Sequence, residues 1–158
     1  MTGWGRWEFD GPEDEIRFEG DDGGAKTYRS HPLLRPLFRD VWKNLRNGVA
    51  LILDHGGNVV YRFTCDDGEI REAATIDRPK EMDCGLAFCH FVETDDKVLL
   101  VYESGLDCFS AAGQLIWKVD GLKYDSLYAG LEPGLVIYES EHSGRWAYRL
   151  DSGDRIDT

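Results

Sequence analysis

Short segments rich in β-branched and aromatic residues recur along the chain, and each is followed by a turn that ends in glycine. The turn glycines are Gly23, Gly68, Gly113 and Gly153, which lie 45, 45 and 40 residues apart. Glycine readily adopts the positive φ that tight hairpin turns require, and a preceding Asp or Ser favours the same turns. The spacing therefore predicts one hairpin-based unit that is repeated about four times.

The residues around each turn predict the strands of this unit. Strands preceding the turns are predicted at 16–18, 60–63, 106–109 and 146–150. One strand further back lie 6–9, 49–53, 98–102 and 135–138, and the last three are nearly continuous apolar runs that suit strands buried on both faces. Strands after the turn are predicted at 69–74 and 114–119, and first strands at 86–92 and 126–131. A repeated antiparallel meander of four strands is typical of propeller blades.

We therefore expect an all-β fold in which about four antiparallel repeat units form a small propeller-like or open, curved arrangement. A single domain over 1–158 is predicted, with units at approximately 4–30, 48–76, 86–120 and 126–157. One segment departs from the pattern, because its apolar positions Phe38, Val41, Trp42 and Leu45 have helical spacing and Asn47-Gly48 follows them. A short helix is predicted there, near residues 36–46, either packed at one end of the domain or replacing the first strand of a unit.

The best-formed repeat resembles a known family. The segment 105–117 runs from a strand through an Ala-Ala-Gly turn into a second strand that ends in Trp117, and it resembles the repeat of quinoprotein-type β-propellers. The segment 146–156 is similar but lacks the final Trp. The resemblance implies a propeller architecture and no activity, since nothing in the chain matches the cofactor-binding residues of the quinoprotein enzymes.

Charge narrows the classes of partner. The 158 residues include 30 acidic and 18 basic ones, and the formal net charge is −12. Such a surface repels nucleic acid and anionic membranes and speeds encounter with basic partners, although acidity also serves solubility alone. No apolar run approaches the ~20 residues that span a bilayer. Because the first residues lack the pattern of a signal peptide, a cytoplasmic protein of bacterial type with reduced cysteines is expected.

Aligning the repeats brings four acidic residues to equivalent positions at the ends of strands. They are Asp10, Asp54, Glu103 and Glu139, with His55, Glu141 and His142 in the adjoining loops. Equivalent positions in a propeller share one rim, so these side chains are predicted to form an acidic ring that receives a partner's cationic side chains. The alternatives are that they only solvate hairpin loops or that they hold a metal ion or small ligand. Tyr124 and Trp146 are candidate aromatic anchors for a partner, with packing inside a blade as the alternative.

No pattern predicts catalysis. A Gly-x-Ser-x-Gly motif and a phosphate-binding glycine loop are both missing from the sequence, and the calcium-loop spacing is missing too. The function expected is a non-catalytic protein-binding module without a cofactor or bound metal, most specifically an immunity protein that neutralises a basic toxin. The alternative is an enzyme-like domain that binds a metal or small ligand at the carboxylate rim.

Overall fold

The computed structural model describes residues 4–8, 15–20, 25–29, 40–44, 46–54, 58–64, 66, 68–76, 89–102, 105–122 and 126–157. Every regular element within these ranges is a β-strand, and the strands form four antiparallel sheets. The first sheet has three strands, and each of the others has four in sequential order or its reverse. The predicted all-β fold of repeated antiparallel sheets is thereby confirmed.

The chain divides into two compact units. The first comprises residues 1–75 and 111–114, and the second comprises 76–110 and 115–158. The first unit holds two sheets, whose strands are β1 (Trp4–Glu8), β2 (Glu15–Gly20) and β3 (Ala25–Arg29) in one, and β4 (Asp40–Asn44), β5 (Val49–Leu53), β6 (Val59–Thr64) and β7 (Ile70–Thr75) in the other.

The second unit also holds two sheets, except that the turn at 111–114 belongs to the first unit. Their strands are β8 (Cys89–Glu93), β9 (Lys97–Tyr102), β10 (Gly105–Ser110) and β11 (Leu115–Asp120) in the third sheet, and β12 (Leu127–Glu132), β13 (Leu135–Ser140), β14 (Gly144–Arg149) and β15 (Arg155–Asp157) in the fourth. Among the described residues the strand order of each sheet is linear, with no pairing between its two outer strands, so none of the sheets closes on itself.

The apolar runs are the buried centres of the sheets. All five residues of β5 are buried, as are Val98–Tyr102 in β9 and Val136–Tyr138 in β13. Each of these strands is paired on both edges, which satisfies its backbone hydrogen-bonding groups while both faces are covered. The prediction that these runs form strands buried on both faces is confirmed.

The predicted helix near residues 36–46 is wrong where the structure describes that segment. Residues 40–44 form β4, whose Trp42 lies opposite Leu51 and is 8% exposed. The buried strand β5 needs a hydrogen-bonding partner on this edge, and Val41 and Trp42 both favour extended backbone. The Asn47-Gly48 pair, expected to end a helix, instead turns the β4–β5 hairpin with a φ of 63° at Gly48. Residues 36–39 and 45 lie outside the described residues.

A cluster of buried side chains joins the two sheets of the second unit. It combines Leu99 and Val101 of β9, Leu106 and Cys108 of β10, Val136 and Tyr138 of β13, and Trp146 and Tyr148 of β14. Full burial of a large apolar side chain contributes about 1.5–3 kcal/mol. This cluster fixes the third and fourth sheets against each other, and with them the loops at their ends.

Candidate functional site

Asp54 closes a loop of its own hairpin. One of its carboxylate oxygens, Oδ1, accepts hydrogen bonds from the backbone N–H groups of Asn58 at 2.7 Å and Val59 at 3.0 Å. Asp54 also contributes to raising the pKa of Tyr61, after the larger effect of burial. These contacts give Asp54 a structural role in the β5–β6 connection, which is the loop-solvating alternative considered for it. The candidate residues Asp10, His55, Glu103 and Tyr124 lie outside the described residues.

Three of the predicted site residues lie together at the β13–β14 hairpin. Glu139 is exposed near the end of β13, and Glu141 and His142 are exposed in the turn that follows. The backbone N–H of Ser143 donates to Ser140 Oγ at 2.8 Å and closes this turn. The hairpin therefore presents two carboxylates and an imidazole to solvent.

Trp146, in contrast, is not available as an exposed anchor. It is 2% exposed, its ring stacks on Tyr138 with centroids 6.1 Å apart, and Arg155 lies 4.8 Å above the ring. Burial within the second unit corresponds to the packing alternative and removes Trp146 from the contact surface.

A groove at the other end of the fourth sheet gathers more acidic groups. This acidic groove, of about 580 Å³, is lined by Glu93, Thr94, Asp95, Asp96, Leu131, Glu132, Pro133, Gly134 and Leu150. It lies between the β8–β9 turn and the β12–β13 turn, both in the second unit. Since β13 extends over about 17 Å, the groove is well separated from the Glu139 hairpin.

Local hydrogen bonds fix both turns that border the acidic groove. Thr94 N–H donates to Lys97 O at 2.8 Å, and Lys97 N–H donates to Thr94 Oγ1 at 3.0 Å. These bonds hold Asp95 and Asp96 at the tip of the β8–β9 turn, where both are exposed. On the opposite side, Leu150 N–H donates to Gly134 O at 2.9 Å and ties the β12–β13 turn to the β14–β15 turn. The groove is therefore preformed by backbone contacts.

Asp96 and Glu132 have cationic partners, and the lining of the groove contains four carboxylates but no Lys or Arg. Asp96 Oδ2 lies 2.9 Å from Lys97 Nζ, and this hydrogen bond is the main cause of a raised pKa of Lys97. Glu132 pairs with Arg145. Asp95 makes no side-chain ion pair with the described residues. The groove thus keeps an excess of negative charge beside the aliphatic surface of Leu131, Pro133 and Leu150, and Leu131 is 41% exposed.

A second groove adjoins the first. This mixed groove, of about 570 Å³, is lined by Lys97, Pro133, Gly134, Leu135, Arg149, Leu150, Asp151 and Ile156. It shares Pro133, Gly134 and Leu150 with the acidic groove, so the two lie on either side of the same turn. Its lining carries two cationic side chains and one carboxylate, whereas the lining of the acidic groove carries four carboxylates and no cationic side chain.

The sequence did not indicate these grooves. Each bordering hairpin is predicted, but the side chains at its tip become one site only when turns from neighbouring sheets meet. The signals present were the exposed Asp95-Asp96 pair between two apolar strands and the Pro133-Gly134 turn. Neither signal shows which turns are adjacent.

The described residues contain no group of three or more His, Cys, Asp or Glu side chains placed to hold a metal ion. Burial raises the pKa of the Cys108 thiol to about 12, so that thiol is a poor nucleophile near neutral pH. The buried pair in which Tyr102 donates to Asp107 at 2.8 Å lies inside the third sheet and is 0% exposed at both residues. In the described part of the chain, no helix has the length and apolarity needed to cross a membrane.

No protein-family model matches the chain, and no curated protein matches it either. Solved structures do resemble it. The extracellular domain of a protein described as a one-component system, BT4673 from B. thetaiotaomicron, is 8% identical, with a TM-score of 0.51 over 92% of this chain and 22% of its own length. The computationally designed Ika8 protein is 9% identical, with a TM-score of 0.49 over 98% of this chain and 48% of its own. The WD40 domain of Neurospora crassa Pan2 is 11% identical, with a TM-score of 0.47 over 80% of this chain and 39% of its own.

The chain therefore spans about half or less of the length of these structures. Its consecutive four-stranded antiparallel sheets are repeat units of the kind that form propeller blades. At such low identity the likeness concerns the fold alone. Activity has to be argued from the grooves and the charge.

Proposed function

We propose that the chain is a non-catalytic protein-binding module for a basic protein partner. Its most specific form is an immunity or inhibitor protein that neutralises a toxin. The acidic groove is the observation that carries the proposal, because it combines an excess of carboxylates with exposed aliphatic surface at one preformed place. Glu139, Glu141 and His142 are proposed as further partner contacts at the other end of the same sheet.

The chemistry of the acidic groove suits lysine and arginine side chains. Both have an aliphatic stem that packs on apolar surface and a cationic head that hydrogen-bonds to carboxylates. In the groove, Leu131, Pro133 and Leu150 offer the apolar surface while Asp95 offers a carboxylate at the rim. A basic side chain entering between the two turns meets both.

The net charge of −12 supports the same kind of partner at longer range. Opposite charge steers diffusional encounter and raises association rates, an effect that salt screens. An inhibitor that has to intercept a basic toxin gains from such steering. The proposal therefore includes salt-sensitive association.

The proposal is tested by affinity capture from the native host with the immobilised chain at low and at high salt. We expect the wild-type chain to retain a basic protein at low salt and to release it at high salt, since charge steering and exposed ion pairs are screened. The Asp95→Lys variant should retain much less of the same protein. Asp66→Lys, an equal change of charge at an exposed position of the second sheet, is the matched control and should behave like the wild type.

The immunity form adds a second measurement. The captured protein, expressed alone, should arrest growth, and co-expression of the wild-type chain but not of Asp95→Lys should restore it. Equal capture of the basic protein by the wild type and by Asp95→Lys contradicts the proposed groove, and a harmless captured protein contradicts the immunity form only.

A further inference from the structure

The acidic groove and the mixed groove are separated by a single apolar ridge. Pro133 and Gly134 of the β12–β13 turn, together with Leu150, line both grooves. A bound segment that crosses this turn therefore meets carboxylates on one side, apolar surface in the middle and cations on the other side. The order of charges along this surface favours one orientation of a bound segment, whereas an acidic patch alone favours neither orientation.

Arg149 is the cation of the mixed groove that has no ion-pair partner among the described residues. Its side chain is exposed, and among the described residues its guanidinium has no ion pair or hydrogen bond. The other cation of this groove, Lys97, is already engaged by Asp96 and lies within the electrostatic influence of Asp151. Within the described part of the chain, Arg149 is thus the cation of this groove that is placed to meet an incoming carboxylate.

We propose that the two grooves together bind one extended segment of the partner, which places a lysine or arginine in the acidic groove, an apolar residue on Pro133 and Leu150, and an aspartate or glutamate beside Arg149. Charge complementarity selects this occupant, because each groove offers the charge opposite to that of the side chain it receives. The inference rests on the proposed function and deepens it, since it states the order of charges in the segment that a basic partner presents.

Two peptides distinguish this order from simple attraction of positive charge. In an extended chain, alternate side chains point to the same side, so acetyl-Arg-Ser-Leu-Ser-Glu-amide presents its Arg, Leu and Glu together. Acetyl-Arg-Ser-Leu-Ser-Arg-amide presents a second cation in place of the Glu. Binding at millimolar peptide is followed through the backbone amide NMR signals of Leu131, Gly134 and Leu150.

We expect the wild-type chain to bind the Arg-to-Glu peptide roughly three- to fivefold more tightly than the Arg-to-Arg peptide, which is the range of exposed ion pairs. The Arg149→Glu variant should reverse this preference, while Asp95→Lys should weaken binding of both peptides. Arg46→Glu changes the charge equally at an exposed turn position of the second sheet and should keep the wild-type preference. A reversal of preference cannot come from loss of folding, and thermal melts of all four proteins check their folding directly.

The outcomes separate the two proposals. The proposed order of charges in the bound segment is overturned if the wild-type chain prefers the Arg-to-Arg peptide, or if the preference of the Arg149→Glu variant is unchanged. Either result leaves the acidic groove as a site for basic partners. The proposed order of charges is likewise overturned if neither peptide, at millimolar concentration, shifts the amide NMR signals of the groove residues. If Asp95→Lys binds both peptides as well as the wild type does, the acidic groove is not the binding site for basic side chains, and the proposed function is contradicted at its site.

Discussion

Gly153 lies in the β14–β15 turn with a φ of 76°, directly against the ring of Trp117 on β11. The indole N–H of Trp117 donates to Leu150 O at 3.0 Å in the same turn. The ring thus packs over the glycine and hydrogen-bonds next to it. The Trp that ends the best-formed repeat in the sequence therefore holds the turn of the following sheet.

Replacing Gly153 tests this contact. A Cβ at Gly153 would lie 2.6 Å from Trp117 Cε3, in addition to the backbone cost of a left-handed alanine. We expect Gly153→Ala to lower the free energy of unfolding by about 2–4 kcal/mol, from the left-handed backbone and overpacking together. Urea unfolding measures the loss.

The matched control for this prediction is Gly144→Ala. Gly144 has a similar φ of 73°, but a Cβ there would have no atom within 4 Å, so only the backbone cost of about 1–2 kcal/mol applies. Equal losses in the two variants would show that the contact with Trp117 has no energetic weight.

At the scale of elements, the β10–β11 turn is held by the second sheet, with which it shares the first compact unit. Arg62 of β6 donates through Nε to Ala112 O at 2.7 Å, and Asn44 of β4 donates through Nδ2 to Ala111 O at 3.0 Å. Position 72, which corresponds to Trp117 in the repeat register, is Glu72. The β10–β11 turn is therefore held by Arg62 and Asn44, whereas the β14–β15 turn is held by Trp117.

Removing these two donors tests how the turn is held. Arg62→Met keeps most of the aliphatic stem but loses the hydrogen bond, and Asn44→Ala loses the other. We expect each change to lower the free energy of unfolding by about 1 kcal/mol, and the double variant to depart from additivity because both groups hold one turn. Arg46→Met, at an exposed position without a side-chain hydrogen bond or ion pair among the described residues, should stay within about 0.5 kcal/mol of the wild type. Strict additivity in urea unfolding would mean that the two bonds act independently.

Elements were predictable from the sequence where local and tertiary signals agree. Leu51 and Leu100 lie in short apolar runs that suit strands paired on both edges, and Gly68 and Gly113 mark turns whose positive φ is confirmed. The helix prediction around Trp42 was wrong because four apolar residues have helical spacing there. The conformation was instead decided by β5, which needs β4 as the hydrogen-bonding partner on one of its edges. The grooves were out of reach for a related reason. Asp95 and Arg149 are assigned to turns and strand ends by the sequence, but only packing between sheets brings their surroundings together.

At the scale of the whole molecule, buried tyrosines and a buried thiol connect stability to alkaline pH. Burial raises the pKa of Tyr102 far above its usual range, and the neighbouring Asp107 adds to this effect. Burial also raises the pKa of Tyr138 strongly, and it raises that of Cys108 to about 12. In each case the folded state disfavours the anion, whereas the unfolded chain ionises near the ordinary values of about 8.5 for cysteine and about 10 for tyrosine.

The sign of the pH dependence follows from these directions. Below the unfolded pKa values both states hold the protons, and stability does not depend on these groups. Above them the unfolded state releases protons that the folded state keeps, so the free energy of unfolding falls as pH rises. We expect a shallow decline above about pH 8.5 from Cys108 and a steeper one above about pH 10 from the tyrosines, at about 1.4 kcal/mol per pH unit for each group.

Urea midpoints measured across the alkaline range check the decline, and tyrosinate absorbance shows when the phenols ionise. Tyr102 and Tyr138 should ionise only as the protein unfolds. Tyr102→Phe removes one of the linked groups, so the steep part of its decline should be shallower by about 1.4 kcal/mol per pH unit, whatever its stability at neutral pH. Ionisation of all tyrosines near pH 10 with the fold intact would contradict the burial of these hydroxyls, and with it the packing between the third and fourth sheets that builds both grooves.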